Sequence, residues 1–405
     1  MTTRFDNLIL YDGRGGRVEN CSLLIEGDRI AAVDREVRNH TAETIIDCAG
    51  LTCMPGWMQC HSHIALDGLP NMQAQIARDN SESAVMCSAV RNSLRCLKSG
   101  LVAVRDMGTA FDVSVKLRNA IRENKLLGPH LYASGRVICM TGGHGADFGI
   151  EVDGMDEARK AARGQIKRGV DLLKIMATGG GQSKGMKAGV PQLNFDEIRA
   201  VVEEAQHAGI PTAAHAQGKE GVMNCLRAGV ESIEHGVTLD DEQIELMIKQ
   251  GTYFCPTLMA LWYVIEKGVA SGIPQYVVDK CMIQSETHFD GFAKAYKAGV
   301  RILAGTDAGT PFNYQDDIKN EIFMMNKLGM SVGDAIVSLT YTPAQACHVQ
   351  NKTGSIETGK WADLTFIDGD PENDLDAFGR VKMVYKLGKK VYWNECGEDR
   401  FLPVL

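Results

Sequence analysis

The stretch Thr52 to His63, TCMPGWMQCHSH, ends in His61-Ser62-His63, two imidazoles one residue apart. In an extended strand, side chains alternate faces, so positions i and i+2 point the same way. Two histidines on one face of a strand end are placed to grip one metal ion. On a helix they would diverge. Cys60 has the opposite parity to His61 and His63 and reads as a packing residue rather than a thiol ligand. Taken alone, His-Ser-His is equally a chance pair in a loop, so the rest of the chain has to decide.

The middle of the chain alternates strand-like and helix-like stretches, the pattern of a parallel sheet with helices outside it. Eight strands are expected: Leu51 to His61, Leu101 to Arg105, Leu131 to Gly135, Asp171 to Met176, Pro211 to His215, Ser232 to His235, Tyr253 to Pro256 and Arg301 to Thr306. Two helices stand out between them. Asp156 to Arg168 opens on an Asp suited to capping, and Asn194 to His207 carries Ile198, Val201, Val202 and Ala205 on one face. Eight units predict a (β/α)8 TIM-type barrel, whose working face is the carboxyl end of the strands. No Gly-x-Gly-x-x-Gly follows the first strand, which argues against a dinucleotide site.

Polar residues fall at those strand ends. Lys174 sits within Leu172-Leu173-Lys174-Ile175-Met176, His215 ends strand five, His235 ends strand six, and Asp307 ends strand eight. Each alone has an ordinary reading: a satisfied core histidine, or an Asp capping a turn. With His61 and His63 they make six groups from five strands on one rim, a convergence that points to a metal site. Lys174 is the most informative. A buried ammonium costs several kcal/mol unless it is paired or neutralised. An ion pair with Asp307 would satisfy it. So would reaction with CO2, which turns the amine into an anionic carbamate able to bridge two metal ions.

Residues 1–55 read as short strands separated by turns such as Asp12-Gly13 and Gly15-Gly16, and the segment from Ala362 to Tyr392 repeats that texture. The termini are therefore expected to meet in a small β-sandwich domain, with 1–55 and 351–405 contributing its two parts and 56–350 forming the barrel. The length of 405 residues allows a barrel-type domain of about 200–250 residues with a smaller unit attached. A hydrophobic content of 44% and a charged content of 23% are ordinary for a globular chain. The net charge of −8, with no basic block, gives no footprint for nucleic acid or an anionic membrane. No apolar run is long enough to span a bilayer, and Arg4 and Asp6 interrupt the N-terminus before a signal-peptide core. The 12 cysteines include no C-x-x-C pair and sit in apolar contexts, Cys87, Cys96 and Cys255 among them. That suggests buried, reduced thiols in a cytoplasmic protein.

As a set, Pro55-Gly56, His61-Ser62-His63, Val104-Arg105-Asp106-Met107-Gly108, Thr141-Gly142-Gly143-His144-Gly145, Leu173-Lys174-Ile175-Met176-Ala177, Ala214-His215-Ala216, Ile233-Glu234-His235-Gly236, Gly305-Thr306-Asp307 and Gly359-Lys360-Trp361-Ala362-Asp363-Leu364 resemble the amidohydrolase superfamily. The resemblance covers almost the whole chain. It is to the binuclear-metal branch that includes imidazolonepropionase-like proteins and Xaa-Pro dipeptidases (prolidases). It implies that His61, His63 and Asp307 hold one divalent ion, that His215 and His235 hold a second, and that carboxylated Lys174 bridges them, with zinc as the metal. It also implies hydrolysis of an amide C–N bond in a small substrate such as a dipeptide or N-acyl amino acid, with Asp307 as the proton shuttle. His144 would contact the substrate, and a homo-oligomer is expected.

Two positions depart from the family pattern. Gln59 stands where an Asp usually precedes the first ligand histidine, and Gln217 stands where prolidase-like relatives carry Tyr. The second departure puts a proline dipeptide in doubt, though not hydrolysis. The substrate pocket is expected from the loops carrying His144, Asp147, Gln182, Ser183, Lys184, Met259 and Trp262, with Lys184 or Arg105 available to a carboxylate. Two other readings stay open. One is a mononuclear deaminase or cyclic-amide hydrolase, for which Glu220 is the only acid soon after His215. The other is a catalytically silent binding protein on the same fold.

Overall fold

The computed structural model describes residues 1–34, 37 and 40–403. The chain opens with five strands, β1 (Thr2–Tyr11), β2 (Arg17–Glu26), β3 (Arg29–Val33), β4 (Thr44–Asp47) and β5 (Leu51–Pro55). Their turns use glycine where the backbone becomes left-handed, as at Gly27 (φ +57) between β2 and β3.

The long first strand expected from Leu51 to His61 is two strands. β5 belongs to the terminal sheet, and β6 (Trp57–Ser62) to the central one. Gly56 makes the break. A Cβ there would lie 2.5 Å from Val102 Cγ2, so only glycine lets the chain pass this close. Both pieces are buried along most of their length, so hydrophobicity alone did not mark the joint.

From β6 the chain alternates strand and helix through β7 (Leu101–Asp106), β8 (His130–Ala133), β9 (Ile138–Met140), β10 (Ile150–Val152), β11 (Leu173–Met176), β12 (Thr212–Ala216), β13 (Ser232–His235), β14 (Tyr253–Cys255) and β15 (Arg301–Ile302). All pair in parallel, in two arcs: β6-β7-β8 and β10-β9-β11-β12-β13-β14-β15. Backbone hydrogen bonds cross both seams. Cys60 N donates to Ala304 O at 2.9 Å and His63 N to Ala308 O at 2.8 Å, while Asp171 N donates to Ala133 O at 2.8 Å. The short β9 and β10 lie in the glycine-rich region after β8, where no strand was expected. The eighth expected strand regularises only over Arg301–Ile302, and its extension turns left-handed at Asp307 (φ +63).

Local chemistry sets the helices. Phe195–Ala208 begins at a reciprocal capping box between Asn194 and Glu197 and ends on left-handed Gly209. Its buried Ile198, Val201 and Val202 each contribute roughly 1.5–3 kcal/mol by leaving water. The helix expected to start on an Asp cap instead starts after Gly154, at Met155–Lys167, and Asp156 lies in its first turn. No side chain caps it because the residue at the cap position is glycine, whose own N–H donates to Glu197 at 2.7 Å; Asp156 still favours the helix dipole.

The chain then returns to the first sheet with β16 (Leu364–Asp368), β17 (Val381–Lys386), β18 (Lys389–Glu395) and β19 (Glu398–Phe401). The termini meet where β16 pairs antiparallel with β5, Phe366 opposite Cys53. The strands form one hydrogen-bonded path, β19-β18-β17-β16-β5-β1-β2-β3, with β4 on β1, rather than the two separate sheets of a sandwich. The sheet curls over its own core, so Phe5 of β1 meets Phe366 and Tyr385 with ring centroids 4.9 and 5.2 Å apart. All 12 cysteines are free, and ten are buried. Cys87 is exposed, contrary to its apolar neighbourhood in the sequence, because it faces outward from helix Glu82–Lys98. No helix among the described residues is long and apolar enough to cross a membrane.

Candidate metal centre

His61 lies buried near the end of β6. Its Nδ1 lies 2.8 Å from Glu234 Oε2. Burial alone would raise the Glu234 pKa, but the Arg105 guanidinium at 2.8 Å and the His61 hydrogen bond hold it well below the usual carboxylate range. An ionised carboxylate only accepts, so Nδ1 carries the proton and Nε2 presents its lone pair on the other side. Burial pushes the His61 pKa down to about 4, keeping the ring neutral. His63 is oriented the same way, with Nδ1 3.1 Å from the Gly108 carbonyl oxygen.

Both Nε2 atoms face Asp307 Oδ1, at 3.5 Å from His61 and 3.4 Å from His63. Those distances are long for hydrogen bonds, and Oδ1 has no hydrogen-bond partner. Asp307 is brought there by its backbone N–H, which donates to His61 O at 3.0 Å. The three side chains form a compact triad fit for one cation.

Lys174 of β11, His215 of β12 and His235 of β13 complete the rim. The strand register sets Met176 beside His215 and Ala216 beside His235. His235, at φ +70, is anchored through Nδ1 to Thr257 Oγ1 at 2.7 Å. The imidazoles form a chain with ring centroids 5.7 Å (His63–His61), 4.8 Å (His61–His235), 4.5 Å (His235–His215) and 4.4 Å (His215–His144). Lys174 Nζ and His215 Nε2 are buried without a hydrogen-bond partner. The ion pair with Asp307 that would have satisfied Lys174 does not form. Burial lowers its pKa to about 8. Against the effect of burial, Asp307 beside His63 shifts that ring's pKa upward, while burial keeps His61, His215 and His235 neutral. Three orphaned polar atoms on this wall are costly unless something binds them, and their donor types suit a borderline metal such as zinc.

Gln59 works here as a clamp. Its Nε2 donates to Thr306 Oγ1 at 2.9 Å and its Oε1 accepts from Thr306 N at 3.0 Å, tying β6 to the loop that carries Asp307. His144 Nδ1 bonds Ser183 Oγ at 2.8 Å, and burial lowers its pKa to about 4. Gly180 makes room for that ring, since a Cβ there would stand 2.5 Å from His144 Nε2. Gln217 accepts from Gln284 Nε2 at 3.2 Å.

The cavity over the six groups measures about 50 Å³ and is walled by His144, Gln182, Gln217, Gln284, Leu66 and Phe148 in addition to them. Asp147, Ser183, Lys184, Met259 and Trp262 are not on its wall, Ser183 reaching it only through His144; Ala260, Leu261 and helix Gln275–Ala298 take that place. Arg105 is not available to a substrate either. It is buried, bound to Glu234, Ser232 Oγ and the Cys60 carbonyl oxygen. Glu234 is the residue sequence reasoning passed over. A carboxylate inside a buried strand carries the same signal that singled out Lys174.

Parallel strands thus gather imidazoles, a lysine and an aspartate into a donor set suited to a metal ion, on the scaffold of a family of hydrolases. The chain belongs to the amidohydrolase family, whose sequence pattern matches residues 52–391. The ochratoxinase of Aspergillus niger is 27% identical over 437 residues, spanning 97% of this chain and 88% of that protein. A crystal structure of a Xaa-Pro dipeptidase with bound methionine in the active site is similar at a TM-score of 0.89 and 33% identity, over 96% of this chain and 99% of the other. A prolidase complexed with N-methylphosphonate-L-proline is similar at a TM-score of 0.88 and 26% identity, over 96% and 99%.

Proposed function

We propose that this chain is a binuclear metal-dependent amidohydrolase that cleaves the C–N bond of a dipeptide or N-acyl amino acid. The observation that carries the reading is the cluster of buried, partnerless atoms, Lys174 Nζ, His215 Nε2 and Asp307 Oδ1, beside the imidazoles of His61, His215 and His235, which burial holds neutral. The hydrogen bonds across both seams support reading the two arcs as one closed (β/α)8 barrel over residues 56–350, with 1–55 and 351–405 as the smaller unit.

His61, His63 and Asp307 would hold one ion, His215 and His235 the other, and carboxylated Lys174 would bridge them. Carboxylation joins the Lys174 amine to CO2 with loss of a proton, exchanging a buried cation for an anion with two donor oxygens. Bound divalent ions, zinc by the donor set, would supply a water acidified towards neutrality and a polarised carbonyl. Asp307 Oδ1 takes the proton of the attacking water and passes it to the leaving nitrogen. His144, its Nδ1 engaged by Ser183, offers Nε2–H to the developing oxyanion or to the substrate carboxylate. Gln217, its oxygen held by Gln284, offers an amide N–H on the same side. Glu234 and Gly108 fix the tautomers of His61 and His63.

The names of the relatives agree with this substrate class: an ochratoxinase, a Xaa-Pro dipeptidase holding methionine and a prolidase holding an N-phosphonylated proline. Gln217 in place of a tyrosine favours amides other than proline dipeptides. The test is a screen of zinc-loaded protein against dipeptides and N-acyl amino acids, with ammonia measured in parallel. Release of the free amino acid without ammonia supports the reading. Ammonia release supports a deaminase, and no turnover of any amide overturns it.

A further inference from the structure

A second cavity, about 150 Å³, lies beside the metal cavity. Leu66 and Phe148 line both, so these two side chains are the partition. The rest of its wall is largely apolar, with Ile76, Val85, Ala110 and Phe111 prominent. Of the polar residues on the wall, Gln75 Oε1 accepts from Asp67 N at 3.1 Å, Gln75 Nε2 donates to Asp79, Asp79 pairs with Arg78, and Thr109 Oγ1 bonds Ser114, while Asn80 and Asp147 are exposed to solvent. The cavity therefore offers a largely apolar surface whose buried polar groups are paired, the Asp147 carboxylate on its wall being exposed to solvent. The metal cavity is too small for more than the reacting group, since small-molecule sites usually enclose about 300–1,000 Å³. The metal cavity's own wall carries the polar His144, Gln182, Gln217 and Gln284 beside apolar residues such as Met176 and Leu261.

Phe148 is placed to move. It ends the short turn Ala146–Phe148 between Gly145 (φ +86) and Gly149, and it is only half-buried. Its ring meets His63 edge-on at 5.7 Å. On the outer side, Phe111 is 41% exposed and held in the left-handed region at φ +59, where an aromatic residue is uncommon.

Resting on the amide-hydrolase reading, we infer that the second cavity is the subsite for a large apolar side chain of the substrate, and that Phe148 swings aside to join it to the metal cavity. The preferred substrates are then amides of amino acids such as leucine or phenylalanine, with the polar end of the amide on the His144 side.

The experiment measures equilibrium binding of free L-phenylalanine and L-alanine to zinc-loaded protein by calorimetry, for wild type, Phe148→Ala and Ile76→Trp, with thermal melts to verify folding. The readout is the ratio of the two affinities, which does not need turnover. Ile76→Trp fills the cavity and is expected to lower the phenylalanine preference at least tenfold; Phe148→Ala removes the partition and is expected to raise it. Folded variants whose ratios stay within twofold of wild type, or move the other way, overturn the subsite. Failure of the hydrolase reading shows separately, as no cleavage of any amide by wild type.

Discussion

Glu234 Oε2 accepts a hydrogen bond from His61 Nδ1 at 2.8 Å, while Glu234 Oε1 takes the Arg105 guanidinium at the same distance. This pair decides which nitrogen of His61 faces the cavity. Glu234→Gln loses the charge that holds both partners. Metal affinity is expected to fall about 10–100-fold, read by titration with a metal indicator. Stability is expected to fall by about 3–5 kcal/mol, because Arg105 is left buried without its counter-charge. Unchanged affinity would show that the Glu234 charge does not set His61 for the metal.

Asp307 lies between the two Nε2 atoms of the His pair. Asp307→Asn keeps one oxygen for the metal and loses the proton acceptor. The expected outcome is retained metal with kcat reduced about 10²–10⁴-fold. Full activity in that variant would refute the shuttle.

Burial lowers the Lys174 pKa from 10.5 to about 8. Only the neutral amine adds to CO2. Reconstitution of stripped protein at constant dissolved CO2 should therefore speed up as pH rises towards 8 and level off above it. Lys174→Ala should lose the effect and regain some activity with added short carboxylic acids. A rate independent of CO2 would contradict carboxylation.

His61 and His144 have pKa values near 4 in the fold, burial being the main cause, against 6.5 ordinarily. Between those values the unfolded chain binds protons that the folded chain refuses, so stability is full above about 6.5 and falls as pH drops towards 4. For the metal-free protein the loss should reach a few kcal/mol, measured as urea midpoints at pH 7 and 4.5. His144→Gln should make the decline shallower. A flat midpoint would show that these rings are not buried neutral.

Much of the site was legible because each ligand candidate violates a local rule: a charge or an imidazole in a strand otherwise apolar. His61, His63, Lys174, His215, His235 and Asp307 all stand out in that way, and the structure brings them to one cavity. Glu234 violates the same rule but was overshadowed by His235 beside it. The pocket walls were less legible. Helix Gln275–Ala298 supplies Gln284 from a long amphipathic stretch that looks like any surface helix, and Phe148 belongs to a glycine-rich turn with no periodicity. The split at Gly56 was hidden because both flanking strands are buried and equally apolar, so Pro55-Gly56 was the only mark of the joint.

The most direct test is a crystal structure of protein grown with zinc and bicarbonate, with anomalous data at the zinc edge. Two zinc peaks are expected, one at His61, His63 and Asp307 and one at His215 and His235, with Lys174 Nζ extended by a planar CO2 group between them. One peak, beside an unmodified Lys174 amine, would contradict the account.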